Sequence, residues 1–435
     1  MRFFNKLMCI ERDIASTNKS SNNLPQKTRW CTPMFATQIL LLATLQYPLN
    51  GHCDSAYGWF KKTFESKGKN MQEVATKVTT LNEDNMIWGL DFSPDGKHLA
   101  VTSPTSREVH VWDWQNGRQL KSLKKEGADD PTTIQPIRYS PDGRLFALCG
   151  GVIARIWDTT TWELIHTIDG ANGLTGAGGG CRAVEFTPDS QSLALVQLRL
   201  PDQFGNNLAV YDTSTWQSVW GVRTELPVIR TDSEWKHALE EWLPFSPDSI
   251  AINPNGRLAA LGGVAYGSVS SDQIISHRII REQPQILIVD MEQHKVTQKI
   301  QAFPASQTIQ MVGTIDRLAW SPDGAYIAAG VSATNSEGAD AIRIFNVQSG
   351  GQVAHEPAPI GTHIRGLRYT PDGKYLLEAG IGHSLKIWDG QHQKLLQEIN
   401  ESGEVSSIAV SRDSHYFAFG MINDGDTRVQ IWKFN

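Results

Sequence analysis

A four-residue turn recurs along this chain, and recurrence at a near-constant period restricts a chain to a solenoid, a propeller or an array. The first copy is Ser93, Pro94, Asp95 and Gly96. Proline at the second position presets φ, aspartate suits the turn, and glycine takes the positive φ that other residues avoid. Around it, residues 90–123 read as three short strands and the start of a fourth. Leu90 and Phe92 alternate with polar neighbours, residues 99–101 and 109–112 follow, and Asn116 and Gly117 turn the chain into residues 119–123. One such unit cannot be stable alone.

The turn returns at residues 140, 187, 253, 321 and 370, and in degraded form as Ser411, Arg412, Asp413 and Ser414. Each copy precedes a strand closed by an aromatic–acid pair or its relic. These are Trp112–Asp113, Trp157–Asp158, Tyr211–Asp212, Val289–Asp290, Phe345–Asn346, Trp388–Asp389 and Trp432–Lys433. The two markers agree on seven units. A further Ser246, Pro247 and Asp248 is not an eighth, because the next turn follows seven residues later with no closing strand between.

On these residues the chain resembles the WD-repeat β-propeller family over roughly residues 72–435. The resemblance implies an all-β fold, a seven-bladed β-propeller of four-stranded antiparallel blades around a central channel. The Gly-His pair that usually precedes the inner strand is missing. The acidic residue usually found ahead of the third strand is matched at Asp426, with Asp340 nearby. In this the chain is similar to divergent bacterial members.

The last repeat has its third strand at residues 428–432, and the chain stops at Asn435 without a fourth. A spare strand, residues 74–81 (VATKVTTL), stands before the first repeat. Placing it as the outer strand of the last blade ties the two ends of the ring together and leaves no unpaired seam.

The turns begin at residues 93, 140, 187, 253, 321, 370 and 411, so the spacing rises from 47 residues to 66 and 68 in the middle and falls back to 49 and 41. The extra length lies after the second strand, at residues 197–206, 264–283 and 331–339, and before the next inner strand, at 169–180, 221–249 and 301–314. Both loop types leave a propeller on the same face, and insertions confined to one face often mark the binding face; drift in unconstrained loops is the alternative. Residues 232–242 read as a short helix with Trp235, Leu239 and Trp242 on one side. The candidate partner-binding residues are Phe204, Trp235, Trp242, His277, Arg278 and Arg281. They combine aromatic anchors with guanidinium groups, the types most enriched at binding hot spots. Packing of the two Trp rings on the propeller rim is the alternative for them.

No catalytic motif is found: no Gly-x-Ser-x-Gly, no His-Glu-x-x-His, no Cys-x-x-Cys. The glycine-rich residues 173–180 lack the Lys-Ser/Thr of a phosphate loop. Neither a metal site nor a cofactor is expected. Inner strands carry charge at Asp91, Arg138, Glu185 and Arg368, placed to line or plug the channel, and His363 stands just before an inner strand. The expected function is a non-enzymatic interaction scaffold, monomeric, binding a protein or peptide on its long-loop face. The alternative is a hydrolase or lactonase-like enzyme with its site at the channel mouth. Forty Lys and Arg against 46 Asp and Glu give a net charge of -6, which does not support a broad nucleic-acid-binding face.

Of the five cysteines, only Cys149 and Cys181 belong to the repeats. Cys149 reads as a small buried hydrophobe; a disulfide between the two is open, and nothing in the sequence places them together. Residues 1–55 form a basic segment followed by an apolar stretch, 34–49, with Lys27 and Arg29 before it and Pro48 and Gly51 after it. That is the layout of a signal peptide, so the expected location is exported, periplasmic, with the cytoplasm as the alternative. The basic region is long for a signal, and a true start downstream of Met1 is an expectation that goes with the signal reading. A helix docked on the propeller is one other reading; a lipid anchor at Cys53, whose preceding Asn50, Gly51 and His52 make a poor lipobox, is another. The signal and the anchor are the chain's only expected links to a membrane. Residues 56–71 read as a linker and 72–435 as the propeller.

Overall fold

The computed structural model describes residues 72–103, 106, 108–124, 136–150, 153–169, 181–197, 208–222, 245–266, 281–302, 314–332, 340–357, 363–380, 384–391, 394–401, 403–422 and 427–435. Among them are 28 strands in seven four-stranded antiparallel sheets. The chain is a seven-bladed β-propeller. The inner strands of blades 1 to 7 are Gly89–Phe92, Ile137–Tyr139, Cys181–Phe186, Phe245–Ile252, Thr314–Trp320, Ile364–Tyr369 and Glu404–Val410. Each touches the next around the ring, and that of blade 7 touches that of blade 1. Residues 246–248 lie inside the inner strand of blade 4, so they are not a further turn.

The turn chemistry accounts for the repeat. Ser93 Oγ donates to Asp95 Oδ1 at 2.7 Å and accepts from the His98 N–H at 2.9 Å, while Gly96 sits at φ 72. Ser140, Thr187, Thr370 and Ser411 repeat the hydroxyl–carboxylate bond at 2.6 Å. The turns also grip one another. The glycines at 143, 256, 324 and 373 lie against the proline of the preceding blade's turn. In blades 3 and 7 serine replaces glycine yet keeps positive φ (63 for Ser190, 59 for Ser414), at a cost glycine would not incur. There the hydroxyl reaches the N–H of Asp142 or Asp372 in the preceding blade at 3.0 Å, which offsets that cost. The acids of the aromatic–acid pairs cap the second turn: Asp158 Oδ1 accepts the N–H groups of Thr160 and Thr161, and Asp212 those of Ser214 and Thr215. The bonds from Ser214 and Thr215 lower the Asp212 carboxyl to about 2.

The core is distributed rather than central. Seven apolar clusters each lie between two neighbouring blades. Side chains alternate across a strand, so the second strand of blade 3 sends Leu193 and Leu195 to one neighbour and Ala194 and Val196 to the other. All four are fully buried, which is why this strand reads as a continuous apolar run.

The ring closes as the strand count requires. Strand Ala75–Asn82 pairs antiparallel with Arg428–Phe434 and completes blade 7. Gln397, on the outer strand of blade 6, clamps the joint: its Oε1 accepts the N–H groups of Val74 and Ala75 at 2.8 Å, and its Nε2 donates to the Ala75 carbonyl at 2.9 Å. Beyond the joint, Glu83 accepts from the Trp112 indole at 2.7 Å and pairs with His110 Nδ1 at 2.7 Å, tying the connector to blade 1. This acid stands before the inner strand rather than ahead of the third; Asp426, the position matched on the sequence, lies outside the described residues, and the nearby Asp340 opens the third strand of blade 5.

Two sequence expectations are corrected. Cys149 is not merely a packed thiol: it forms a disulfide with Cys181, Cα–Cα 5.4 Å, linking the second strand of blade 2 to the inner strand of blade 3. The ring brings the ends of these strands together across 32 residues of sequence. The long loop of blade 4 is also shorter than residues 264–283. Strands Leu258–Tyr266 and Arg281–Asp290 run on, with Tyr266 opposite Arg281, because Val264 still faces the core.

Candidate functional site at the channel mouth

All seven inner strands, mostly through their middle residues, enclose a cavity of ≈ 70 Å³. These strands begin where the long interblade connections end, so the cavity lies in the channel between the long-loop end of the ring and the Ser-Pro-Asp-Gly turns. Its wall carries five arginines (Arg138, Arg182, Arg317, Arg365 and Arg368) and two aspartates, Asp248 and Asp316, with Trp88 and Ser407 alongside.

Two rings of side chains contribute to it, the deeper one through Arg138 and Arg368 and the outer one through Arg182, Asp248, Asp316 and Arg365, while Asp91, Glu185 and Ser406 stand outside its lining. The deeper ring stands two residues before each turn and includes Asp91, Arg138, Glu185 and Arg368, the charges placed there from the sequence. Arg138 Nε donates to Glu185 Oε2 at 2.8 Å, and Asp91 Oδ2 accepts the Tyr139 N–H at 2.7 Å, so the expected cross-blade pairing occurs. Burial raises the Asp91 carboxyl to about 6 against the opposing pull of Arg138. Burial also works against charge on Arg138, but Glu185 and Asp91 outweigh it and hold its pKa up.

The outer ring escaped the sequence reading. Arg182, Asp248, Asp316, Arg365 and Ser406 each stand five residues before their turn, and each occupies a break in strand register. A β-bulge inserts one residue and re-aims its side chain, which puts these groups out of phase with a two-residue period. Their constant offset from the turn was the available signal. Beside the bulges the second strands carry glycine where the next blade packs: a Cβ at Gly262, Gly330 or Gly420 would stand 2.6, 2.6 or 2.4 Å from Ile315, Ile364 or Ile87.

The carboxylate of Asp248 is engaged by Thr314 Oγ1 at 2.7 Å and Arg182 at 3.9 Å. Arg317 donates to the backbone carbonyls of Arg365 and Asp316, and Arg368 to that of Leu367; among the described residues neither makes a salt bridge. Burial, then repulsion from Arg138, lowers Arg368 to about 9, which leaves it cationic at neutral pH. Arg317 is lowered by burial and by Arg365 and Arg138 despite Asp316. Arg365 lies 5.4 Å over the Trp88 ring, a cation–π contact.

His363 precedes the inner strand of blade 6 but is not among the residues lining the cavity. Among the described residues no group of three His, Cys, Asp or Glu side chains could hold a metal. Phe204, Trp235, Trp242, His277 and Arg278 lie outside the described residues, as do the residue 232–242 segment and the signal-like stretch. Arg281 opens a strand of blade 4 rather than sitting in a loop, and its side chain is not described.

Comparison with known proteins follows the repeat. Residues 75–113 match the family described as WD domain, G-beta repeat. The chain is 29% identical over 97 residues to WD repeat-containing protein VIP3 of Arabidopsis thaliana, covering 20% of this chain and 30% of that protein. It is 31% identical over 126 residues to Actin-interacting protein 1 of Drosophila melanogaster, covering 28% of this chain and 19% of that one. The chain thus matches less than a third of either relative's length.

Proposed function

Because the chain belongs to the WD-repeat β-propeller family, we propose that it is a non-enzymatic scaffold whose long-loop face binds a protein or peptide partner. The observation that carries this reading is the asymmetry of the blades. In all seven, five residues separate the inner strand from the second, and third-to-fourth turns are four or five residues long in blades 1 to 6. Wherever the chain lengthens, it does so from the opposite end of the sheets, up to the 223–244 connection between blades 3 and 4. One similar protein is named for interacting with actin, which agrees with a protein partner as a class. Export is part of the same proposal. The basic-then-apolar layout before the propeller supports it, and so does a buried disulfide, which persists in oxidising compartments.

The test is affinity capture from the source cells with the intact protein and with variants in which residues 223–244 are shortened, or Trp235→Ala and Arg281→Ala are introduced. A partner captured by the intact protein should bind the single variants roughly 1–3 kcal/mol more weakly each, with little change in melting. Undiminished capture by all variants, with loss on changing the short-turn face, would overturn the assignment.

A further inference from the structure

The channel mouth holds more cation, and more unused donor, than its own carboxylates account for. Its wall has five arginines to two aspartates. One aspartate, Asp248, is already held by Thr314 and Arg182, and the deeper Glu185 by Arg138. Arg317 and Arg368 spend their bonds on backbone carbonyls, which accept a hydrogen bond but neutralise no charge.

A second observation is independent of charge. Six buried side-chain polar atoms among the described residues have no hydrogen-bond partner, and three of them, Trp88 Nε1, Arg365 Nε and Ser407 Oγ, belong to residues lining this one cavity. A fourth, Ser406 Oγ, is the neighbour of Ser407. Buried polar groups are otherwise nearly always satisfied, so a cluster of exceptions marks a site. An indole N–H and a guanidinium N–H can only donate, so whatever satisfies them is an acceptor. The stacking of Arg365 on Trp88 holds the two groups side by side.

We propose that the long-loop mouth of the channel is an oxyanion site that takes one carboxylate or phosphate group, held by Arg317, Arg365 and Arg368 with the Trp88 N–H and the Ser407 hydroxyl. The cavity of ≈ 70 Å³ has room for roughly five waters, and so for one such group with its hydration partly replaced. Guanidinium forks match the planar or tetrahedral oxygens of both groups. Water could fill the donors but would leave the mutual repulsion of Arg138, Arg317 and Arg368 in place, whereas an anion relieves it. The site is built by inner strands and does not depend on the long loops, so it stands or falls apart from the scaffold reading.

The experiment is isothermal titration calorimetry on the full chain, in a buffer free of phosphate and carboxylate, with three probes: inorganic phosphate, succinate and a hexaglutamate peptide. The expected result is one site per chain for at least one probe, weakened by added salt. Arg365→Gln and Arg317→Gln should each lose about tenfold or more in affinity, the worth of one charge-assisted hydrogen bond, while Arg257→Gln, in an exposed turn outside the channel, changes nothing. Binding of phosphate or succinate identifies a free small oxyanion; binding of the peptide alone identifies an acidic group carried on a polypeptide. No binding of any probe at millimolar concentration, or equal binding in the Arg365→Gln protein with an unchanged melting curve, overturns the proposal. Arg365 is half-buried, so that variant decides the matter even if Arg317→Gln fails to fold.

Discussion

Reducing the Cys149–Cys181 bond removes a constraint on the unfolded chain, and in the fold it asks two buried sulfur atoms to move apart to non-bonded distance. For a sequence separation of 32, the chain-entropy relation gives about 12 cal/mol/K, or about 3.7 kcal/mol at 25 °C. Spread over the unfolding entropy of a unit of roughly 360 residues, that is a fall of about 5 °C in melting temperature. Because the bond is buried, reduction is done on the unfolded protein, followed by refolding with and without reductant. Peptide mapping of the unreduced protein should recover the two cysteines in one linked peptide. Urea midpoints of the oxidised and reduced proteins, read by Trp fluorescence, should then differ in the stated direction. The Cys149→Ala, Cys181→Ala double variant should be less stable again, because it adds small cavities beneath the blade 2–blade 3 interface. Absence of the linked peptide, or identical midpoints in the two redox states, would refute the reasoning.

Deleting residues through 82 should destabilise the whole ring, whereas deleting through Cys53 should not; equal melting of the two truncations would show that Ala75–Asn82 does not close blade 7. Gln397→Ala leaves two backbone N–H groups at that joint without an acceptor and should cost about 2 to 5 kcal/mol in urea denaturation. The hydrogen bond that His110 donates to Glu83 raises the His110 pKa above 6.5, so the pair stabilises the fold fully below the unfolded pKa and less as pH rises through the folded one. Stability should therefore fall as pH rises above 6.5, and Glu83→Gln should flatten that fall. Asp91, raised to about 6, acts with the same sign but in the lower window between about 4 and 6. For export, intact mass of protein from its source should place the mature N-terminus between Asn50 and Tyr57; an uncleaved chain in the cytosol would refute it.

Much of this molecule is local chemistry, and local chemistry is legible along a sequence. The Ser-Pro-Asp-Gly turns set the number of blades, because a hydroxyl, a carboxylate and a positive-φ residue at fixed offsets close the same turn wherever they recur. Even the closing strand was deducible, since a sheet edge left at Arg428–Phe434 needs a partner and residues 74–81 were the strand left over. Matched charges two residues before the turn, at Asp91, Arg138, Glu185 and Arg368, were visible because they keep strand phase. Tertiary structure alone decided the rest. Cys149 and Cys181 meet because neighbouring blades lie edge by edge, a proximity no spacing encodes. Glu83 reaches His110 and Trp112 only once the connector from the closing strand is laid across blade 1. Arg182, Asp248, Asp316 and Arg365 face the channel mouth because bulges break the period by which a sequence assigns faces, and a bulge is the product of two strands meeting out of step, not of either strand by itself.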